Sequence, residues 1–317
     1  MSETKNSLSW EKYRKGVWFA LGTAIISGFS IYLNKFAVMT VKDLFVFTTA
    51  KNLVVALLLL TLVILPTVLR ELKSLSRQQW LTLILIGGVG GSIPFLLFFK
   101  GLSVASAPSA AFIHKTLFIW VTILAVPFLG ERLGKFHIAA LATLIIGNLV
   151  LMGLPSSWAL GQAELLVLIA TVLWAVEAVI AKKVMQRVSS NVAAFARMFF
   201  GAMVMLIYLG FTGKLGSFAS LNGQQIGWIA ITSLFLFSYV SCYYAGLKYA
   251  PASVVASILV LGSVITSLLY AIFDAKRYSW EQVVGMLLVT LAALALWYLS
   301  PRVRIRREAS PSVSEER

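Results

Sequence analysis

The sequence predicts an all-α polytopic membrane protein, with ten transmembrane helices arranged as two inverted five-helix repeats. Three observations carry that expectation. Of the 317 residues, 59% are hydrophobic and only 12% charged, and the mean hydropathy is +0.89, whereas soluble domains carry about 25% charged residues. Ten apolar runs approach the length of about 20 residues that a hydrocarbon crossing needs. The two halves of the chain also echo one another locally. The same composition excludes disorder, a coiled coil and a secreted disulfide scaffold. The single cysteine, Cys242, sits in an apolar run, so an intramolecular disulfide and a cysteine-clustered metal site are both excluded.

Residues 1–16 are polar and basic and lead straight into the first span, 17–37. That run is too long, and too directly followed by other spans, for a cleaved signal peptide. The second span, 43–66, ends at a basic loop holding Arg70, Lys73 and Arg77. The third (80–99) and fourth (104–127) are parted only by KGLSVASAPS at 100–109. As one helix that pair would exceed 40 residues, too long for a single crossing. Arg132 and Lys135 precede the fifth span, 136–153. The sixth (162–181) and seventh (192–210) flank a loop with Lys182, Lys183 and Arg187. The eighth (225–247) and ninth (252–273) are parted by GLKYAPAS, and the tenth, 281–299, leads into a basic tail. No alternating barrel pattern occurs, so the spans are helices.

The formal charge of +15 would suggest nucleic acid in a soluble chain. Here its distribution reports orientation. Eighteen Lys and Arg fall on the side that carries both tails, five on the other, and four within the spans. Cytoplasmic loops are the basic ones, so both termini are expected in the cytoplasm, which an even number of spans requires. No nucleic-acid partner is implied.

The chain divides near its centre into 1–153 and 154–300, with a basic cytoplasmic tail at 301–317. KGLSVASAPSAAFI (100–113) at the 3/4 junction matches AGLKYAPASVVASI (245–258) at the 8/9 junction. FTTAKNL (47–53) and AFARMFF (194–200) set Lys51 against Arg197. Inverted repeats are a common transporter design, with a central site at their interface.

With these features the chain resembles the drug/metabolite transporter superfamily, and most closely its EamA-type branch, over roughly residues 15–300. FLGERLG (128–134) closing the fourth span adds to the resemblance, its Gly130-Glu131 matching a Gly-Glu pair frequent in that family. The second half departs from the pattern, with Asp274 in AIFDAKRYSW. The basic residue of each second helix also matches, as Lys51 and Arg197. The resemblance implies secondary transport of small metabolites, often export of amino acids or related compounds, across a prokaryotic inner membrane. It does not identify the solute.

Ionisable side chains inside hydrocarbon mark a site, a pathway or a structural pair. Lys115 falls near the midplane of span four, about 15 Å from either interface, while a lysine stem reaches only about 6 Å. It is the leading candidate for the solute cavity. Lys51 either joins that cavity or reaches the outer interface. His114 is a proton relay or a packing residue. Lys35, with Asn34, is expected to snorkel at the outer boundary. Glu177 stands four residues before the end of span six, and reflection across the 182–190 turn puts its partner near 196 on span seven. It therefore either pairs with Arg197 or carries a coupling proton or meets a cationic group, and burial and pairing push its proton affinity in opposite directions. Trp18, Phe29, Tyr32, Trp174, Tyr239, Tyr243 and Tyr244 are candidate aromatic lining, with Ser106, Ser109, Asn148 and Ser257 as polar lining. Trp80, Trp158, Trp228 and Trp280 are placed like interfacial anchors. Gly87, Gly91 and Pro94 let span three either bend or pack closely.

The intramembrane charges are mostly positive, which favours an anionic or carboxylate-bearing solute moved by an exporter or exchanger under alternating access. The alternative is proton-coupled export of cationic or amphipathic drug-like compounds through Glu177. Neither His114 nor His137 begins a His-x4-Asp or His-Glu-x-x-His motif, so an enzyme is not expected. No G-x-x-x-x-G-K-[ST] loop is present, which removes direct ATP drive, and no cofactor is expected. The expected partners are a small-molecule substrate, membrane lipid and a proton, in a monomer or homodimer.

Overall fold

The computed structural model describes residues 2–105, 107–152 and 161–299. Ser106, Trp158, the division between 153 and 154, and the tail 301–317 lie outside the described residues. Among the described residues, fourteen α-helices follow in order. The first half holds α1 (Ser2–Val41), α2 (Leu44–Val63), α3 (Pro66–Lys73), α4 (Arg77–Gly91), α5 (Ile93–Leu102), α6 (Ala107–Lys115), α7 (Leu117–Leu129) and α8 (Lys135–Met152). The second holds α9 (Gln162–Val184), α10 (Ser190–Phe211), α11 (Gly223–Tyr249), α12 (Ala252–Ile258), α13 (Leu261–Phe273) and α14 (Trp280–Leu299). A short 3-10 turn at Leu215–Phe218 joins α10 to α11.

Among the described residues, ten helical stretches are long and apolar enough to cross a membrane. Span three is α4 with α5, span four α6 with α7, and span nine α12 with α13. Span one runs further than its apolar core, from Trp10 to Val41, because Tyr13 stays packed and its hydroxyl reaches Leu296 O at 3.3 Å. Span two ends earlier than hydropathy suggests. Pro66 starts a new helix there, α3, which takes up most of the basic loop. The N-terminus of span two is set by Asp43, whose carboxylate accepts from Phe45 N (2.9 Å) and Val46 N (3.2 Å).

The packing respects an exchange of the two halves. Span one lies along span eight as span six lies along span three, and span one contacts span nine as span six contacts span four. Spans two and seven pack on each other, as do five and ten. Because each half has an odd number of crossings, the two repeats are inverted. Large apolar side chains such as Leu57, Ile123, Phe211 and Ile272 remain exposed on the outside of this bundle, the surface a lipid phase would solvate.

Span three is kinked between Gly91 and Ile93, where Ser92 takes φ −142° and ψ −71°. Gly87 and Gly91 both press on span seven. A Cβ on Gly87 would stand 2.3 Å from Phe200 Cβ, and one on Gly91 the same distance from Arg197 O. The two readings of this motif, bending and close packing, therefore hold together.

The ends of the bundle differ. At the end with the basic loops, α7 stops at left-handed Gly130 (φ 66°) and Glu131 turns beneath α12. Its buried carboxylate accepts from Ala252 N (2.6 Å), Ser253 N (3.2 Å) and the Ser253 hydroxyl. Lys182 Nζ donates to Leu247 O (2.6 Å), Ala250 O (2.8 Å) and Lys248 O (3.3 Å) on the same 8/9 turn. At the opposite end, Asp274 binds Lys35 at 3.0 Å and Asp43 binds Lys214 at 2.7 Å, all partly exposed.

Candidate functional site

Polar residues on spans one and two recur at helical spacing and so share a face. Ser27, Ser30 and Asn34 form one stripe, and Thr48, Lys51 and Asn52 another. Both stripes face a cavity of about 350 Å³. Its other walls are Phe95 and Phe99 of span three, His114 and Leu117 of span four, and Trp174 and Glu177 of span six. Arg197 of span seven and Leu236, Tyr239 and Tyr243 of span eight complete it.

The ionisable residues lie at two levels. Nearer the Lys42 and Lys100 end, Lys51 Nζ donates to Asn34 Oδ1 at 2.9 Å and sits 4.7 Å from the Phe47 ring centroid. Among the described residues no carboxylate salt-bridges Lys51. Deeper in, Arg197 Nε lies 3.8 Å from Glu177 Oε1. The Tyr244 hydroxyl, behind the wall, donates to that same oxygen. Arg197 Nη2 and Trp174 Nε1 both donate to Gly90 O, each at 3.1 Å. The His114 ring rests edge-on between Phe98 and Trp174, at 5.3 and 5.0 Å.

Three polar atoms of the lining are buried without a hydrogen-bond partner: Arg197 Nε, His114 Nδ1 and Asn52 Oδ1. Buried polar groups are normally satisfied, so a cluster of this kind on a cavity wall is suited to a polar guest. Among the described residues no group of three His, Cys, Asp or Glu side chains is placed to hold a metal ion.

Of the residues singled out in the sequence, Lys51, His114, Trp174, Glu177, Arg197 and Tyr239 are brought together on this one cavity. Lys115 is not among its lining residues. It is half-buried at the end of α6, and successive helical residues turn by about 100°, so His114 takes the inward direction. Trp18 and Phe29 are exposed on the outside of the bundle. Ser109, Asn148 and Ser257 lie off the lining, Ser257 bonding to Ser253 O at 2.7 Å. Asn34 does not stay at the boundary with Lys35 but turns in to Lys51. Asn34 and Asn52 were legible in the polar stripes, a signal weaker than charge.

Ten apolar spans in two interlocked halves, enclosing a cavity walled by the buried Lys51, Glu177 and Arg197, make a secondary transporter of small solutes. The model of the EamA-like transporter family matches residues 14–153 and again 161–298. The chain belongs to that family, within the drug/metabolite transporter superfamily. Among curated proteins none matches. In solved structures 29 chains match. One of them, described only as a crystal structure of a protein, aligns with a TM-score of 0.72 at 15% identity, covering 92% of this chain and 99% of its own. That likeness concerns the fold alone.

Proposed function

We propose that this chain is an alternating-access carrier, an exporter or exchanger, for a small solute bearing a carboxylate or similar anionic group. Arg197 and Lys51 are its anchors, and the aromatic walls hold its body. The observation that carries the reading is the buried Arg197 Nε on the cavity wall, which faces Glu177 at 3.8 Å but has no hydrogen-bond partner, joined by Lys51, which among the described residues no carboxylate offsets. A buried cation without a full partner is costly, and a solute anion relieves that cost. Proton-coupled export of cations through Glu177 is less well supported, since that carboxylate already faces Arg197 and Tyr244. A proton enters our reading as a companion of the solute, taken up when the anion replaces Glu177 beside Arg197.

The asymmetry of the two ends supports alternation. Glu131 at the close of span four and Asp274 at the close of span nine are counterparts under exchange of the halves, as are Lys182 and Lys35. Glu131 and Lys182 grip the 8/9 turn, while Asp274 and Lys35 are partly exposed and hold each other, with Tyr32 donating to Asp274 at 3.4 Å and the Tyr270 ring under Lys35. We read this state as sealed at the basic end and accessible from the other. With the basic end in the cytoplasm of a prokaryotic inner membrane, both termini are cytoplasmic and the cavity faces outward.

The test is flux in reconstituted vesicles across a metabolite panel, with and without a pH gradient. Saturable flux of carboxylate solutes, lost in Arg197→Gln, is expected. Saturable flux of cations alone, or of no solute, from correctly inserted protein would overturn the reading.

A further inference from the structure

Span three is broken where it meets the buried ion pair, and the break has a chemical consequence. Pro94 has no N–H, so the carbonyl four residues earlier, Gly90 O, lacks its helical donor. That oxygen instead accepts Arg197 Nη2 and Trp174 Nε1, both at 3.1 Å. Gly90 is equally specific in its place, because a Cβ there would stand 2.3 Å from Glu177 Cγ. The counterpart helix in the other half, α11, runs unbroken from Gly223 to Tyr249 and contains no proline. The fold itself therefore does not require the break.

The guanidinium geometry follows from this tether. Arginine facing a carboxylate ordinarily closes a bidentate fork at about 2.8 Å. Here Nε stays 3.8 Å from Glu177 Oε1 and is buried without a hydrogen bond. The Tyr244 hydroxyl holds the carboxylate from its own side. Each member of the pair is thus partly occupied by a third group, and the space between them borders the cavity.

We propose that the Gly90–Pro94 break is a positioning device for solute recognition. The carbonyl that Pro94 frees holds the Arg197 guanidinium off Glu177 and keeps Nε available to an anionic oxygen of the solute. The proposal rests on the reading of Arg197 as a solute anchor and names what sets its geometry. The ligand it selects is a flat anion carried on an apolar or aromatic body, since Phe95 and Trp174 meet edge-on, 5.1 Å between centroids, on the wall of the same cavity as Arg197.

The experiment compares benzoate with benzamide, alike in shape and different in charge, by calorimetric titration of the detergent-purified full chain. Wild type is expected to prefer benzoate. Pro94→Ala returns an N–H to Gly90 O and should weaken benzoate about tenfold, the scale of one hydrogen bond to a charged group. Benzamide should stay within about twofold, since it does not engage the charge. In an Arg197→Gln background, adding Pro94→Ala should change benzoate binding no further, because both substitutions act on one interaction. Additive effects overturn the proposal and leave Arg197 standing as an anchor. A wild type that does not distinguish benzoate from benzamide, or benzoate binding unchanged by Arg197→Gln, overturns the anchor and the proposal with it. If Pro94→Ala does not remain monodisperse, Pro94→Ser returns the same N–H to Gly90 O and enters the same cycle. Additivity with Arg197→Gln then overturns the proposal equally.

Discussion

Arg197 on span seven and Glu177 on span six face each other with Nε 3.8 Å from Oε1, both buried, and do not hydrogen-bond through that nitrogen. The pair cancels charge without closing. Gly90 O draws the guanidinium one way and Tyr244 holds the carboxylate the other.

Removing either partner alone leaves a buried charge unpaired, which costs about 3 kcal/mol or more where water is excluded. Water entering the cavity beside the pair would lower that figure. Arg197→Gln and Glu177→Gln should each lower the unfolding temperature in detergent. The double variant should lie above the sum of the single losses. A double-mutant cycle with no coupling would show that the two charges are solvated separately.

The short hairpin explains why this pair was legible. Reflection across the 182–190 loop needs only helical rise and antiparallel packing, and it lands within one residue of Arg197. The ten spans were legible for a similar reason, since hydropathy over 20 residues is a local property. Rotational phase was not. Nothing local decides whether His114 or Lys115 faces inward, and the breaks after Lys115 and Ile258 carry no proline or glycine at the break itself. Glu131 was legible as a family signature, but its grip on residues more than a hundred positions away is a tertiary fact. Asn34 passed for a boundary residue because the next residue, Lys35, is one.

Glu131 satisfies two amides and a hydroxyl at the start of α12, so its loss leaves buried donors without an acceptor, at about 1–3 kcal/mol. Glu131→Ala should speed hydrogen exchange of the Ala252 and Ser253 amides by at least tenfold, since about 1.4 kcal/mol is a factor of ten. Lys182→Met should loosen the same turn from its carbonyl side. Unchanged exchange in both variants would remove these residues from the closure of the basic end.

The Asp43–Lys214 pair at the opposite end gives a pH signature outside the spans. Burial raises the Asp43 carboxyl, but the Lys214 ammonium and the amides of Val46 and Phe45 outweigh it and hold it below its ordinary value of 3.8. A lowered carboxyl contributes stability that is present above that ordinary value and is lost as pH falls through the lowered one. Unfolding temperature should therefore drop below about pH 4, where the carboxyl protonates in the unfolded chain while the native one stays ionised. Asp43→Asn should flatten that part of the profile while lowering stability at neutral pH. An identical acid limb in wild type and variant would assign the effect to other carboxylates.

Lys51 and Lys115 separate a cavity lysine from a lysine that is merely in the membrane. Lys51 lines the cavity, bonded to Asn34 Oδ1 at 2.9 Å, whereas Lys115 lies one turn-step away from His114 and off the wall. Lys51→Met removes a charge that a solute anion would meet directly, and a charge-assisted contact is worth about 1.5–3 kcal/mol. The expected result is a rise of at least tenfold in the half-saturation concentration for the best carboxylate solute in vesicle flux. Lys51→Arg should recover part of it, because arginine keeps the charge but presents a planar fork instead of a point. Lys115→Met should leave half-saturation within about twofold, since Lys115 lies off the cavity wall, and act if at all on the amount of folded carrier recovered. Equal losses from Lys51→Met and Lys115→Met, with recovery of folded protein unchanged, would mean that the solute path runs past α6 on the side the cavity does not reach.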